Sequence, residues 1–561
     1  MPVHDTARPA EPGAAPAPAT GAGTETGEGT ETATATATEA TTAARTATET
    51  ETETGTGTAP VTGESEREGP GAAPPERRSR AGRLLGRVPP RWRMPLATYA
   101  ACQLIFLIWW AAFYPGLTSF DSIVYTLHVT TGPWVDNHSV VYDSMVWLSL
   151  HLTGNFAALT FGQTVAASAT FAYAVVAFRR LGVPGRWTAI AAVVLAALPP
   201  TGTLIVFVWK DAAFTLCVLL LVVTLAHLVS LRGRAGWQRE RRVSWLIAAI
   251  GFELLGMCLF RPNGFIVVGF CAIGLVALLA KVRAKVAGVA VAAICLFFVL
   301  NYVVYPAAGI QKAPTSLTYG TAYADIAVAY ADSPASFTPA DTALMARVAP
   351  LTAWRKSADC YSSDTTTSAV PGFTGRAERL NSQLTALWVR ILKRTPNFIL
   401  GARICRASIA WSIFNGPPKR LGVVEVPLDA PPANLFGLAR LSDVRHNPYR
   451  ATFYPHPLSA KLHKAAEFLY SASETPQLQW LLWRGAFWCY VSYLALFAYA
   501  RARRNWAVLS IGAVVLAQQL TILLDNPAQL YRYMVSSIFI GVLLVPLFFA
   551  RHRRPVPPSA L

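Results

Sequence analysis

Five short polar motifs lie next to long apolar segments of the chain, and their side chains could bind an anion and transfer a proton. A carboxylate just beyond a membrane helix is costly unless it faces water or a partner, so Asp121, held on a Pro/Gly turn, is a candidate general base. The five motifs are Phe120-Asp121-Ser122, Asp136-Asn137-His138, Trp209-Lys210-Asp211, Arg261-Pro262-Asn263-Gly264 and Tyr531-Arg532-Tyr533.

The cations in these motifs suit a phosphate group. Lys210 is a point charge, whereas Arg261 and Arg532 offer planar forks that match phosphate oxygens. Alternatively, each of the three cations snorkels from a helix end to the lipid headgroups. His138, beside Asn137, is a candidate substrate ligand through hydrogen bonds.

Other roles stay open for the acidic residues. Asp121 could instead cap a helix that begins near Ser122, because Asp is a preferred N-cap residue. Asp211 could neutralise Lys210, and Asp525 could pair with Arg532. A divalent metal held by Asp121, Asp136 and His138 is a further alternative. Asn263-Gly264 is typical of a turn between two spans.

The composition excludes a soluble protein. Of the 561 residues, 53% are hydrophobic and only 14% are charged, whereas a soluble domain carries about 25% charged residues. Residues 1–75 hold 12 acidic and 3 basic residues, which gives this segment a net charge of −9. Since the net charge of the whole chain is +18, the remaining residues carry a net charge of +27. These basic residues cluster in short loops between apolar runs, which indicates cytoplasmic loops rather than nucleic-acid binding.

The elements that must position these motifs are about ten apolar spans in an all-α polytopic protein. The positive-inside rule places both termini in the cytoplasm and requires that 138–153 does not cross the membrane. Segment 115–155 is therefore one extracytoplasmic loop with an interfacial amphipathic helix, and the polar motifs share the outer face. The predicted spans are 95–114, 156–178, 187–208, 211–231, 243–260, 264–281, 286–305, 479–500, 505–523 and 530–550.

The rest of the chain divides by composition. Residues 1–75 are Thr/Glu/Ala-rich and predicted to be a disordered cytoplasmic tail. The spacing of leucine and isoleucine favours helix over 378–413, whereas 416–436 is typical of a loop. Cys360 and Cys405 could form a disulfide if their region lies outside the cytoplasm. The predicted parts are the tail 1–75, a basic juxtamembrane segment 76–94, a membrane module 95–305, an extracytoplasmic domain or lid 306–478, C-terminal spans 479–550 and a basic cytoplasmic tail 551–561.

The arrangement resembles the GT-C superfamily of integral-membrane glycosyltransferases, which includes protein O-mannosyltransferases, the aminoarabinose transferases of lipid A and a bacterial branch. Phe120-Asp121-Ser122 matches the catalytic Asp of their first outer loop, and Asn137-His138-Ser139 is similar to an Asn-His-His-Pro segment that here lacks the second His and the Pro. The Lys210 and Arg261 motifs look like further segments of that branch. The resemblance covers 95–305 well, the last three spans weakly and 306–478 hardly at all. The Asp-Glu pair of the O-mannosyltransferases is absent, so the acceptor and any metal requirement stay open.

The resemblance implies a plasma-membrane enzyme that moves a sugar from a polyprenyl-phosphate donor to an extracytoplasmic glycan, lipid or protein. Asp121 would be the base, and His138, Asn137, Lys210, Arg261 and Arg532 would bind the substrate. Two alternatives are a transporter or flippase of a lipid-linked sugar and a non-catalytic membrane scaffold. Transporters commonly have inverted repeats and broken helices at the membrane midplane, whereas this chain places its polar groups at one face.

Overall fold

The structure is a computed structural model that describes residues 89–232, 236–414 and 441–550. These residues are mostly helical, and extended pairing among them is limited to three isolated bridges. The predicted tails 1–75 and 551–561, the loop at 416–436 and most of the juxtamembrane segment 76–94 lie outside the described residues.

The first part of the membrane module contains eleven helices up to residue 307. Two of them, α2 and α3, lie in the segment 115–155 that was predicted to be one loop, and a π-helical turn at Leu300–Val304 separates α10 from α11. The helices are α1 Pro90–Ala112, α2 Phe120–Thr130, α3 Val140–Thr153, α4 Ala157–Arg180, α5 Gly185–Ala197, α6 Pro199–Ile205, α7 Lys210–Leu231, α8 Arg241–Phe260, α9 Gly264–Leu278, α10 Arg283–Val299 and α11 Tyr305–Ala307.

The remaining helices form the insertion, which is the predicted domain or lid at 306–478, and the C-terminal part after it. Short 3₁₀ turns such as Tyr531–Tyr533 lie between some of them. The helices are α12 Thr315–Thr318, α13 Gly320–Asp332, α14 Pro339–Ala346, α15 Leu351–Lys356, α16 Asp364–Thr367, α17 Phe373–Arg379, α18 Asn381–Arg394, α19 Pro396–Arg406, α20 Ser408–Trp411, α21 Leu441–Arg445, α22 Ala460–Ser473, α23 Pro476–Leu482, α24 Gly485–Arg503, α25 Leu509–Leu524 and α26 Val535–Leu544.

Six of the described helices are long and apolar enough to cross a membrane. The pairs α5–α6 and α23–α24 are bent by 72° and 48°, so the count rises to eight if each pair is one span. Helices α9 and α26 are apolar but shorter. Each of the ten apolar segments predicted from the sequence overlaps one of these helices or pairs, and the chain has the helices of a multi-pass membrane protein. The six are α1, α4, α7, α8, the continuous segment Arg283–Ala307 and the segment Trp506–Leu524.

Helix α7 is the most enclosed of these segments and packs against α4, α8 and α26. Its leucines and valines are buried along nearly the whole length of the helix. Since its first residues, Lys210 and Asp211, are buried as well, the charges at this helix end contact other protein groups. Snorkelling of Lys210 to the headgroups does not fit this burial.

The segment 115–155 is joined to the residues just before α7 by backbone hydrogen bonds. The Leu117 amide donates to the Val206 carbonyl at 3.0 Å, and the Val208 amide donates to the Leu117 carbonyl at 2.9 Å. Gly116 is required beside this bridge, because a Cβ there would lie 2.7 Å from the Thr160 side chain and 3.1 Å from the Val206 carbonyl. The bridge sets α2 next to the beginning of α7.

The insertion has a hydrophobic core of its own, built around the buried Trp354 and Phe373. Within the predicted helical segment 378–413, Leu384, Leu387 and Ile391 of α18 are fully buried in this core. Most of that segment is helical, as predicted, although it is divided into several helices. Cys360 and Cys405 form a disulfide with a Cα–Cα distance of 5.7 Å.

Candidate functional site

The short helix α2 presents Asp121 from its first turn. The helix begins after Ser119, whose amide donates to the Ser122 hydroxyl at 3.0 Å, and that hydroxyl donates to the Val208 carbonyl at 2.8 Å. Ser119 and not Asp121 therefore occupies the N-cap position, so the capping role considered for Asp121 is wrong. The Asp121 carboxylate is free to contact other elements, and 19% of its side chain is exposed.

Lys210, the first residue of α7, contacts two parts of the segment 115–155. Its Nζ lies 3.9 Å from Asp121 Oδ2 and donates to His138 Nδ1 at 2.7 Å. It also donates to the Tyr125 hydroxyl at 3.4 Å. A single ammonium group therefore contacts α2, the 136–138 motif and the aromatic ring between them.

Arg532 bridges both carboxylates of the site from the C-terminal part of the chain. Its Nη1 donates to Asp121 Oδ2 at 2.6 Å and lies 3.7 Å from Asp211 Oδ2. Arg261 binds the other oxygen of Asp211, with its Nε donating at 2.7 Å, and its Nη2 donates to the Arg532 carbonyl at 3.4 Å. Asp211 therefore forms its ion pairs with Arg261 and Arg532, and it also interacts electrostatically with Lys210, as considered from the sequence.

A tight turn positions Arg261 in this cluster. The residue follows α8, and the Gly264 amide donates to the Arg261 carbonyl at 2.9 Å before α9 begins. A Cβ on Gly264 would lie 2.0 Å from the Met257 carbonyl, so only glycine fits this close approach. The predicted turn between two apolar segments at Asn263-Gly264 is confirmed.

Aromatic rings enclose the three cations. The Arg532 guanidinium lies 4.5 Å from the Trp209 ring centre, and the Arg261 guanidinium lies 4.7 Å from that of Phe214. Tyr533 packs against both arginines, at 5.3 Å from Arg532 and 4.9 Å from Arg261. Sequence reasoning did not assign these rings to the site, although Trp209 and Tyr533 adjoin predicted ligands in the chain.

Tyr125 and His128 were missed as well, but their spacing carries a signal. They follow Asp121 by four and seven residues, so all three share one face of α2. His128 Nδ1 lies 2.9 Å from Asp143 Oδ2, and both side chains are buried. This pair connects α2 to α3 near the charged cluster, because the His128 and His138 rings lie 6.4 Å apart.

The electrostatic balance of the cluster keeps Asp121 ionised. Burial alone would raise the pKa of the Asp121 carboxyl, but the charges of Arg532 and Lys210 outweigh burial and lower that pKa far below its usual value. Burial and the adjacent Lys210 lower the pKa of His138 well below its ordinary value. A neutral His138 that accepts from Lys210 at Nδ1 carries its proton on Nε2.

The chain matches no protein-family model, no curated protein and no solved structure with which it was compared. The geometry of the site is therefore the basis for any functional conclusion.

Five of the six predicted site residues come together, and the sixth does not join the network. The predicted residues that meet are Asp121, His138, Lys210, Arg261 and Arg532. The Asn137 amide group is buried and has no hydrogen-bond partner among the described residues.

Two other acidic residues considered from the sequence, Asp136 and Asp525, have their partners elsewhere. Asp136 accepts from Lys312 and from the Ala313 amide, at 2.6 and 2.7 Å. Asp525 interacts with Arg403 and Thr321 of the insertion, so its considered pairing with Arg532 is wrong. Within the described ranges, no three His, Cys, Asp or Glu side chains are grouped so that they could hold a metal ion.

The resulting cluster contains three positive and two negative side chains in direct contact. The cluster therefore has a surplus of one positive charge. Aromatic rings enclose it, yet it is partly accessible at Asp121, Lys210 and Arg532. The Arg532 Nε–H has no partner in the described part of the chain. The arrangement can bind an anionic group and leaves one carboxylate beside it.

Proposed function

We propose that the chain is a membrane glycosyltransferase of the GT-C type that transfers a sugar from a polyprenyl-phosphate donor to an extracytoplasmic acceptor. The observation that carries this proposal is the meeting of Asp121 with Lys210, Arg261 and Arg532, which come from four separate parts of the chain. Three cations beside one accessible carboxylate meet the two needs of such a transfer: a holder for the phosphate and an acceptor for the proton.

In this proposal the donor phosphate binds at Lys210 and Arg532. Both groups are 11–14% exposed, so phosphate oxygens can reach them and compete with Asp121 for their hydrogen bonds. As Arg532 and Lys210 turn to the phosphate, the carboxylate loses the charges that hold its pKa down and becomes a stronger base. Binding of the donor thereby activates the base.

The transfer step then balances within the site. The acceptor O–H bond breaks, and its proton goes to the Asp121 carboxylate. The acceptor oxygen forms a bond to the anomeric carbon of the sugar, while the bond from that carbon to the phosphate oxygen breaks. The leaving phosphate keeps the electron pair, and the Lys210 and Arg532 charges stabilise it. Arg261 positions Arg532 through its carbonyl and Asp211 through its carboxylate.

The proposed setting is the plasma membrane, with ten spans, both termini in the cytoplasm and the site on the outer face. The distribution of basic loops supports this topology, since the positive-inside rule depletes cations from the outer face. Three cations that remain there are best explained by an anionic ligand. The outer surface of α3, where Trp147, Leu148 and Leu152 are exposed, fits a helix that lies in the membrane interface.

The test is sugar transfer in membranes that contain the full chain and radiolabelled decaprenyl- or undecaprenyl-phosphate sugars. Asp121→Asn should lower transfer by about 10²–10⁴-fold, the usual contribution of a general base, without loss of donor binding. Asp332→Asn, a change of the same type at the exposed end of α13, is the matched control and should transfer normally. Full transfer by Asp121→Asn would contradict the proposal.

Transport of a lipid-linked sugar is the second candidate, because α5–α6 and α23–α24 are bent pairs and broken helices are common in transporters. The same membranes separate the two functions. Movement of the labelled lipid across the bilayer, with no sugar transferred and no effect of Asp121→Asn, would favour transport.

A further inference from the structure

The carboxyl group of Glu253 lies deep in α8, which is long and apolar enough to span a membrane. Glu253 is twelve residues after Arg241 and seven before Phe260, so it lies about 18 Å and about 11 Å from the two helix ends at about 1.5 Å per residue. The residue is 8% exposed. Ionisable residues at such a depth commonly belong to a pathway for ions or protons.

The two oxygens of this carboxyl group have different surroundings. Oε1 accepts a hydrogen bond from the Thr224 hydroxyl of α7 at 2.6 Å. Oε2 is buried and has no hydrogen-bond partner among the described residues. Because no basic side chain in the described ranges acts on the carboxyl group, an ionised Glu253 would be a buried charge without a counterion. A proton on Oε2 removes that charge.

The charged groups near Glu253 act on other residues. Arg180 and Arg242 act on His227, whereas the titratable groups Tyr173 and Cys217 interact with Glu253 itself. Further titratable groups lie on α8 and on the elements packed against it, and none of them acts on Glu253. These groups are Tyr142, Asp143 and His151 of α3, Lys210 and Asp211 of α7, Arg239 before α8, Arg241 and Cys258 of α8, Cys271 of α9, and Arg283, Lys285 and Cys295 of α10.

A row of hydroxyl and imidazole groups leads from Glu253 to the helix ends that carry the basic loops. The Tyr173 hydroxyl of α4 interacts with Thr224 and lies 2.9 Å from His227 Nδ1. Thr224 and His227 are seven and four residues before the last residue of α7, so they share one face of that helix. His227 in turn lies near the arginines at the end of α4 and the start of α8. The row therefore connects the middle of the span with the side of the basic loops.

Helices α7 and α8 are in close contact between Glu253 and the candidate site. A Cβ on Gly256, three residues after Glu253, would lie 2.6 Å from Cys217 Sγ, so glycine permits this approach. Farther along α8, the Arg261 guanidinium lies 4.7 Å from the Phe214 ring centre. Apolar and sulfur contacts thus separate Glu253 from the charged cluster, and the polar row approaches it from the opposite side.

We propose that Glu253 is a proton-binding site within the membrane that exchanges its proton with the side of the basic loops through Thr224, Tyr173 and His227. In the uptake step, a proton from water binds His227 Nε2, and the Nδ1 proton moves to the Tyr173 oxygen. The Tyr173 proton moves to the Thr224 oxygen, and the Thr224 proton moves to the Glu253 carboxylate, which becomes neutral. Release follows the reverse order. This site is independent of the sugar transfer proposed for the cluster at the end of α8.

A proton suits this site better than a metal cation. Calcium and magnesium take about six or more oxygen ligands. The described residues offer one carboxyl group and the hydroxyls of Thr224 and Tyr173 here. These groups are too few to surround such an ion, but they are the groups that pass a proton along hydrogen bonds.

Infrared spectroscopy of the full chain in lipid nanodiscs tests the protonation of Glu253. A protonated carboxyl group has a carbonyl stretching band separate from the carboxylate bands, and subtracting the spectrum of Glu253→Gln from that of the natural chain isolates it. At neutral pH the difference should contain the band of one protonated carboxyl group, and this band should shift in heavy water. Glu467→Gln, the same change at a side chain that is 47% exposed, is the matched control and should alter carboxylate bands alone. A carboxylate band in the Glu253 difference would overturn the proposal.

The rate of the band shift after transfer to heavy water tests the row of groups. Tyr173→Phe should slow this exchange about tenfold, as expected for the loss of one hydrogen-bonded step. Tyr302→Phe, the same change at a residue that is 68% exposed, should leave the rate unchanged. Equal rates in the natural chain and Tyr173→Phe would overturn the relay.

Replacing choline chloride with sodium chloride tests the identity of the bound cation. The Glu253 band should be the same in both salts. A band that sodium removes would show that the site binds a metal cation, which overturns the proton site. Sugar transfer is not measured in any of these experiments, so either proposal can fail without the other.

Discussion

Two buried arginine–carboxylate clusters in this protein use the same side chains with different access to solvent. In the insertion, Asp325 accepts from Arg403 at 2.5 Å and from Arg406 at 2.9 Å. Asp325 is fully buried, and Arg406 is 1% exposed. In the candidate site, Asp121 accepts from Arg532 at a similar distance, 2.6 Å, yet is 19% exposed. The distances do not distinguish the clusters, and neither does the exposure of the arginines, since Arg403 is itself 19% exposed. The exposure of the carboxylate does distinguish them.

The two carboxylates also differ in how many of their oxygens have a hydrogen-bond partner. Both oxygens of Asp325 are occupied, and Arg403 also donates to the Leu524 carbonyl at the end of α25. The backbone of Arg406 accepts from Asn526 at 2.6 Å. This cluster, next to the Cys360–Cys405 disulfide, fastens the insertion to the C-terminal helices. Asp121 has one oxygen, Oδ1, without a partner among the described residues, so it retains capacity for a ligand.

The largest effect expected from this comparison is on stability. Asp325→Asn should lower the free energy of unfolding by about 3–5 kcal/mol, because it removes the carboxylate that both guanidinium groups contact directly, one of them the fully buried Arg406. Asp121→Asn should change it much less, since Arg532 keeps Asp211 and some contact with water. Denaturant unfolding of the two purified variants measures the difference. Equal losses of stability in the two variants would show that the candidate site, like the insertion cluster, mainly stabilises the fold.

A smaller effect is expected on anion binding. Arg532→Gln should weaken binding of undecaprenyl phosphate by about 100-fold, or about 2.7 kcal/mol, as expected for loss of charge-assisted hydrogen bonds. Arg532→Lys should recover part of this loss, because a lysine retains the charge but not the planar fork. Titration of the lipid into nanodiscs that hold each variant gives the affinities.

Arg403→Gln is the matched control for this binding experiment. It removes an arginine of the insertion cluster, which has no part in the proposed phosphate site, so it should alter affinity less than about threefold while lowering stability. A loss of affinity as large as that of Arg532→Gln would mean that the two clusters do not have separate roles.

The sequence predicts the charged members of the site because of where they lie in the chain. Asp121, Lys210, Arg261 and Arg532 each follow or precede an apolar segment, and alternating spans bring such ends to the same side. Burial and exact partners are not encoded in that pattern. Asp211 adjoins Lys210 in the chain, but its hydrogen bond is with Arg261, 50 residues further along.

The errors at the site have local causes. Ser119, one residue before Phe120, is as good an N-cap as Asp121 and begins the helix two positions before Asp121. Asp525 lies seven residues before Arg532, but it is held by groups of the insertion, whose position could not be derived from its own sequence.

The secondary structure was easier to predict than its arrangement. Apolar runs of about 20 residues indicate helices wherever they occur, and the spacing of Leu384, Leu387 and Ile391 marks the buried face of α18. The order in which the helices of the insertion pack depends on contacts between residues distant in the chain. One such contact, the Cys360–Cys405 disulfide, could be considered from the sequence only because these two cysteines lie in a polar region.

The smallest effect concerns an ion pair in the insertion whose basic partners remain in water. Asp341 accepts from Arg390 at 2.9 Å and from Arg394 at 3.2 Å, and these arginines are 47% and 38% exposed. Burial alone would raise the pKa of Asp341, but its hydrogen bonds with Arg390 and Thr338 lower that pKa to about 2. Because the folded state binds this proton less readily than the unfolded chain, Asp341 stabilises the fold above about pH 4.

That contribution should disappear as the pH falls through about 2, where the folded carboxyl takes up its proton. Asp341→Asn should therefore cost about 1 kcal/mol at pH 6, as for the loss of a partly exposed ion pair and cap, and the cost should shrink progressively between pH 4 and pH 2. Thermal unfolding of the natural chain and the variant across this range gives the difference directly. A loss of stability that stays constant with pH would assign the effect of Asp341 to its shape rather than its charge. A loss as large as that of Asp325→Asn would mean that exposure of the arginines does not weaken the ion pair.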